Sequence, residues 1–238
     1  MDTLLEANAI NAGYGQMQVL WDTDIHVDKT ERVVLLGANG AGKTTLLKAV
    51  MGLIPLWKGT ITFDSAHLEK KRTDERFKRG ISYMSESGVI AGLTVEENLR
   101  IGGYYLPRLV QTQQLEKMYE QFPDLKQKRK HAGGSLSGGQ RKMLGVAKAL
   151  MSQPRLLVMD EPSAGLSPLF VKEVIDFLVK STEEANLSLL IAEQNVKFLE
   201  IADRVYVLDG GKITFSGTVL ELVANDAVKR AYFGLEGT

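Results

Sequence analysis

The chain has no cysteine among its 238 residues. That excludes disulfides and thiolate metal sites, and allows a reducing compartment without requiring one. It has no excess of either charge: lysine plus arginine and aspartate plus glutamate both total 29. A general nucleic-acid binder needs a basic footprint, so no nucleic-acid partner is expected. The sharpest basic cluster, Lys126, Lys128, Arg129, Lys130 and His131, has no interleaved aromatic platform and reads as a solvated helix end. No stretch approaches the ~20 apolar residues of a membrane helix. The opening residues Met1 to Glu6 lack a basic n-region and an apolar run, so no signal peptide is expected. Internal repeats, low-complexity tracts and long linkers are missing too. A soluble, cytoplasmic α/β protein is expected; if it serves a membrane process, another chain supplies the span.

What is present centres on Gly37 to Thr45, GANGAGKTT. An apolar β-branched run (Val33 to Leu36) precedes it and a helix-like segment (Leu46 to Gly52) follows, the context that the phosphate-loop pattern G-x-x-x-x-G-K-[ST] requires. Gly37, Gly40 and Gly42 let the backbone approach an anion. The N–H groups of the loop, through Asn39, Ala41 and Thr45, then line a concavity at a helix N-terminus. Lys43 adds a mobile charge for the β- and γ-phosphates, and the Thr44 hydroxyl is a ligand for Mg²⁺.

Residues 4 to 36 read as short strands broken by turns, with Ala12-Gly13-Tyr14-Gly15 as one turn and Thr23 to Val27 in strand alternation. Tyr14 either packs or stacks on a purine. Gly59 to Phe63 is a further strand, and Lys70 to Arg79 a mixed-charge, exposed helix. Ile81 to Met84 is the only strand expected between Lys70 and Leu150. Thr94 and Glu97 form a capping box, a second helix runs from Leu115 to Pro123, and a third follows Ser137. A helical subdomain inserted into a sheet results. Arg155 to Asp160 and Leu187 to Ala192 are apolar runs suited to strands buried on both faces. A helix from Leu169 to Lys180 separates them. Another helix, the strand Arg204 to Leu208 and a hairpin at Asp209-Gly210-Gly211 into Lys212 to Phe215 follow. The fold class expected is α/β, a phosphate-loop core with a mainly parallel sheet, an N-terminal antiparallel β subdomain and the helical insertion.

Asp160 and Glu161 close a buried strand at the end where open α/β sheets bind ligands. Asp160 is placed to hold Mg²⁺ opposite Thr44, and Glu161 to orient and deprotonate a water in line with the γ-phosphate. Leu136-Ser137-Gly138-Gly139-Gln140 is a second anion-binding helix start. One nucleotide needs one cradle, so the second is expected to complete a site on another subunit.

With these motifs in order, the whole chain resembles the ATP-binding subunits of ABC transporters: LSGGQ matches the signature loop, GANGAGKTT the phosphate loop, and LLVMDEP the strand with the magnesium aspartate and catalytic glutamate. The resemblance implies that two subunits, identical or paralogous, sandwich two ATP molecules with Mg²⁺. Each nucleotide then lies between one phosphate loop and the partner's Ser137, Gly138, Gly139 and Gln140. It implies adenine stacking on Tyr14, and two transmembrane permease subunits docked where core (1–86 and 151–238) meets helical signature subdomain (87–150). The location implied is peripheral, at the cytoplasmic face of the inner (plasma) membrane.

Three positions depart from the family pattern: Glu86 where a Gln joins core and helical subdomain beside nucleotide and metal, Gln194 where a switch His stands, and Ser167 where an Asp follows the catalytic Glu. Glu86, Gln194, Leu93 to Leu99 and the ending Asn225 to Gly234 resemble the branch serving branched-chain amino-acid importers, which also implies a solute-binding protein as an indirect partner. Ser85 to Gly92 matches that branch less well. The chain stops soon after that ending, without the C-terminal regulatory domain of some sugar and methionine importers. A Gln amide does not titrate, so Gln194 is expected to position phosphate or water, leaving Glu161 the only base. The rival classes are a soluble ABC ATPase of translation or DNA maintenance and a phosphate-loop kinase or GTPase. One cassette and no heptad run weigh against the first; the signature loop and the lack of an N/T-K-x-D motif weigh against the second. Urea and short amides stay open as transported solutes.

Overall fold

The computed structural model describes residues 2–225. The chain opens with two long strands, β1 (Thr3–Tyr14) and β2 (Met17–Asp28), then β3 (Arg32–Leu36) and helix α1 (Lys43–Val50). Next come β4 (Leu56–Phe63), β5 (Ala66–His67), α2 (Thr73–Lys78) and β6 (Ile81–Met84). Four helices follow without a strand: α3 (Val95–Gly102), α4 (Arg108–Gln121), α5 (Pro123–Gln127) and α6 (Gly138–Leu150). The chain then alternates through β7 (Leu156–Asp160), α7 (Pro168–Ala185), β8 (Ser188–Glu193), β9 (Arg204–Asp209), β10 (Lys212–Gly217) and α8 (Val219–Ala224).

These strands make two sheets. The smaller is antiparallel, in the order β2-β1-β4-β5; the larger runs β10-β9-β3-β8-β7-β6. In the larger sheet β9, β3, β8, β7 and β6 are all parallel, and only β10 is antiparallel. Period-2 alternation divides its side chains between two cores. Val34, Leu36, Leu157, Met159, Leu189 and Ile191 face the helical side, with Leu99, Leu115, Leu144 and Leu178. Val33, Leu35, Leu156, Val158, Leu190 and Ala192 face α1 and the antiparallel sheet, with Leu5, Ile10, Leu46 and Phe63. Both faces are covered, so these strands read as continuous apolar runs. Because the strands are parallel, the residues that follow β3, β6, β7 and β8 all emerge at one edge.

Four local expectations are corrected. Ala12, Gly13 and Tyr14 belong to β1, and the hairpin turns at Gly15-Gln16; Gly13 is there because β2 passes against it, at the Met17 carbonyl. The strands of that hairpin are long and bulged, not short, with Ala9 and Asp22 at positive φ. The segment before β9 is a 3-10 turn, Val196–Ile201. The 70–79 segment is not wholly exposed. Arg76 is 2% accessible and donates to the carbonyls of Ala49, Val50, Leu68 and Lys71. Its guanidinium thus closes the C-terminus of α1, where the last carbonyls have no helical partner. Pro123 both ends α4 and starts α5, at a position where a missing N–H costs nothing. Of the segment Asn225 to Gly234, only Asn225 lies within the described residues.

Candidate functional site

The edge of the parallel sheet carries a row of polar groups on an apolar base. After β3, Gly40 and Gly42 take φ of 81° and 108°, which turns the chain into α1. No side chain caps α1 and no acid lies in its first turn, so its N-terminal amides and the positive end of its dipole face the loop. Lys43 is 4% exposed. Its ammonium donates to the carbonyls of Gly37 (2.8 Å) and Ala38 (3.1 Å) and pairs with Glu161 Oε1 at 3.1 Å. Tyr14 stands at the end of β1 with its ring half exposed, its hydroxyl 3.5 Å from Thr45 Oγ1 and the Lys48 ammonium 5.7 Å from the ring centre.

At the end of β7, Asp160 is buried and accepts from the Thr44 hydroxyl (3.0 Å) and the Tyr83 hydroxyl (3.1 Å). Burial pushes its pKa up; those two hydrogen bonds oppose the shift, and the charges of Glu161 and Glu86 add to it. Tyr83 is raised as well, by burial first and then by Asp160. Glu161 follows in the left-handed region, φ 48°, its N–H bonded to the Ala192 carbonyl at 2.9 Å. Such a φ is uncommon for a side-chain-bearing residue and is held by its surroundings.

At the end of β8, Glu193 is buried and gathers three backbone amides: Ser163 at 2.7 Å, Gln194 at 3.1 Å and Asn195 at 3.2 Å. Burial raises its pKa against these bonds. Gln194 is exposed, and its Nε2 donates to Asn39 Oδ1 and, at 3.2 Å, to Glu161 Oε1. Glu86 lies exposed beyond β6, and its carbonyl accepts from Lys142 Nζ at 2.7 Å. Ser167 is the N-cap residue of α7, with no side-chain hydrogen bond to the helix.

The structure therefore brings together Tyr14, the loop Gly37 to Thr45, Glu86, Asp160, Glu161 and Gln194. It does not bring Ser137, Gly138, Gly139 and Gln140 to them. Ser137 and Gln140 cap α6 reciprocally at 3.3 Å, and Lys128, from the basic cluster, donates to Gln140 Oε1 at 2.8 Å. Among the described residues, no hydrogen bond or ion pair joins this loop to 37–45. Three polar residues of the site escaped the sequence reading: Tyr83, Lys142 and Glu193. Their signals were a strand phase, a helix face and a strand end, none of which distinguishes a site residue from a packed one.

The donors offered to a cation are hard oxygens, Thr44 Oγ1 and the Asp160 carboxylate. Among the described residues, no group of three or more His, Cys, Asp or Glu could hold a metal alone. Such a sparse set suits Mg²⁺, which takes one or two protein oxygens and completes its shell with phosphates and water.

A parallel sheet whose edge presents a glycine loop with its lysine, a Thr–Asp pair and an acid–amide pair is that of a phosphate-loop nucleotide-binding domain. The profile of the ABC transporter family matches residues 20–164, and the chain belongs to that family. It is similar to the probable branched-chain amino acid transport ATP-binding protein LivF of Archaeoglobus fulgidus, 35% identical over 98% of this chain and 99% of that one. It is similar also to the high-affinity branched-chain amino acid transport ATP-binding protein BraG of Pseudomonas aeruginosa, 36% identical over 97% of this chain and 100% of that one. Among solved structures, the ADP conformation of an ATP-binding cassette of an ABC transporter superposes with a TM-score of 0.82 at 26% identity, covering 99% and 100% of the two chains. The protein is a nucleotide-binding ATPase subunit of an ABC transporter.

Proposed function

We propose that this chain powers an importer of branched-chain amino acids or a similar small solute by hydrolysing MgATP at the edge of its parallel sheet. The carrying observation is the near-full-length likeness to two ATP-binding proteins of branched-chain amino acid transport. The phosphates lie in the loop Gly37 to Thr45, with Lys43 turning from its carbonyl partners to the β- and γ-oxygens, and adenine stacks on Tyr14. Thr44 and Asp160 would hold Mg²⁺, with Glu86 beside them, and the bound ion would screen the phosphate charge. Asp160 feels the like charges of Glu161 and Glu86, a repulsion that a bound cation would relieve. Glu161 takes a proton from the attacking water, and Gln194 orients that carboxylate or the γ-phosphate. Ser137 and Gly138 act on the nucleotide of a second ATPase subunit, identical or paralogous.

Two permeases supply the membrane span, a partnership supported by the likeness to transport ATP-binding proteins; no helix among the described residues is itself long and apolar enough to cross a bilayer. Their docking site is the junction of the core (1–86 and 151–238) with the helical part (87–150). There Gly52, Thr73, Phe77, Ile101, Tyr104 and Tyr105 line a cleft of about 650 Å³. Docked there, the subunit is peripheral to the membrane, on its cytoplasmic face.

The test is uptake into vesicles holding the full complex with its solute-binding protein. Labelled leucine, isoleucine or valine should accumulate only with internal MgATP. Glu161→Gln should retain nucleotide while losing about 10²–10⁴ in turnover. Uptake of urea or a short amide in place of these amino acids would reject the substrate class, and an active Glu161→Gln would reject the base.

A further inference from the structure

Lys142 lies on α6, five residues beyond the Ser137 cap, and is 9% exposed. An ammonium loses strong hydration on burial and needs acceptors. This one donates to two backbone carbonyls from different segments: Glu86 at 2.7 Å and Glu161 at 2.8 Å. Four carboxylates lie near enough to favour its charge, Glu86 foremost, then Glu193, Glu161 and Asp160. Desolvation nevertheless outweighs them and lowers its pKa.

The Glu161 carbonyl is no arbitrary acceptor. It belongs to the residue held at φ 48°, whose N–H is fixed from the other side by the Ala192 carbonyl. Rotation about this one residue swings the Glu161 side chain away from Lys43 and Gln194. The Ala192 bond restrains one end of that rotation and the Lys142 bond the other. The loop that carries Glu86 meets the same helix a second time, at Gly88. A Cβ placed on Gly145 would stand 3.2 Å from Gly88 Cα, so α6 and the loop beyond β6 are in backbone contact.

We propose that Lys142 is a positioning residue for hydrolysis: its ammonium locks the strained backbone of Glu161, and with it the direction of the carboxylate, to the helix that begins at the LSGGQ loop. A shift of α6 relative to the sheet is then felt at Glu161 and at Glu86 together. The inference rests on the reading of Glu161 as the base.

The test uses the full chain in its membrane complex, with Lys142→Met, which keeps length and loses both hydrogen bonds, and Lys142→Arg, which keeps the charge and donors enough for both. Lys142→Met should lower kcat by about 10- to 100-fold, the cost of a misplaced catalytic group, with KM for ATP and nucleotide affinity within about twofold. Lys142→Arg should recover most of the loss. In a Glu161→Gln background, Lys142→Met should lower the residual single-turnover rate little further, because the group it positions is already gone. If Lys142→Met does not fold, Lys142→Gln, whose shorter arm reaches one carbonyl, takes its place with the same readouts.

Near wild-type kcat in Lys142→Met alongside an inactive Glu161→Gln would overturn this inference alone. A fall in nucleotide affinity matching the fall in kcat, or an equal further loss in the Glu161→Gln background, would also overturn it, as a merely structural role. An active Glu161→Gln would instead overturn the assignment of the base.

Discussion

Gln194 Nε2 donates to Glu161 Oε1 at 3.2 Å, the same carboxylate oxygen that pairs with the Lys43 ammonium at 3.1 Å. Two donors, one at the start of α1 and one just after β8, therefore hold one oxygen of the proposed base and leave the other for a water. The amide keeps this role at every pH because it does not titrate. Gln194→Ala is expected to cost about 10²–10³ in turnover, the size of one preorganised donor. Gln194→His should keep substantial activity and add a fall as pH drops through about 7 to 6, because an imidazolium beside Glu161 weakens it as a base. Steady-state ATPase rates against pH on the assembled complex check both; a harmless alanine would reduce Gln194 to a strand-end residue.

The two glycines of the signature loop should separate function from packing. A Cβ on Gly138 meets only the Gly165 carbonyl, at 3.8 Å, whereas one on Gly139 would stand 2.7 Å from the Phe170 ring. Gly138→Asp should therefore fold normally and bind ATP as a monomer, yet lose turnover when its charge meets the γ-phosphate of a partner's nucleotide. Gly139→Ala should lose about 1–3 kcal/mol of stability through overpacking. Thermal melting, monomer ATP titration and ATPase assays read these out. A fall in monomer affinity for Gly138→Asp would place the loop in its own subunit's site.

Asp160 is a carboxylate whose pKa burial pushes above its ordinary value. Between that ordinary value and the raised folded one, the folded chain keeps a proton the unfolded chain has released, so stability from this group falls as pH rises. Asp160→Asn removes the effect. With chelator present, its melting temperature should exceed the wild type's at pH 7, by about 2–4 °C for each kcal/mol relieved. The difference should shrink as pH falls towards 4, while hydrolysis is lost throughout. Equal melting temperatures at pH 7 would mean that the Thr44 and Tyr83 hydroxyls fully offset the desolvation.

Arg76 should behave as a structural keystone. Its guanidinium serves four carbonyls, two of them at the end of α1. Arg76→Met strands buried acceptors and is expected to cost about 3 kcal/mol. Arg76→Lys should rescue little, since a point ammonium cannot span acceptors arranged for a fork. Urea unfolding midpoints compare the three chains.

Much of the site was legible in the residues because its chemistry is local. A glycine loop between a strand and a helix, an acid pair closing an apolar run and a Ser-Gly-Gly helix start each carry their geometry within a few consecutive residues. Ile81 to Met84 and the Thr94–Glu97 cap were read to the residue for the same reason. The β1–β2 turn was misplaced because Gly13 answers to a neighbouring strand, not to its own backbone. Arg76 reads in the sequence as one more charge on a polar helix, because two of its four acceptors, the Ala49 and Val50 carbonyls, lie on a helix distant in the chain.

The sequence by itself determined the glycine loop between β3 and α1, the acid pair at the end of β7, the α/β class and the run of helices between β6 and β7, all of which follow from short-range spacing and apolar periodicity. Only the tertiary structure decided that Glu161 is held in a left-handed conformation between Ala192 and Lys142, that Glu193 ties the loop at Ser163 to the one at Gln194, and that the LSGGQ loop stands apart from the phosphate loop of its own chain. These are hydrogen bonds between segments brought to one sheet edge by parallel strand order, and no spacing along the chain records which carbonyl a buried cation will find.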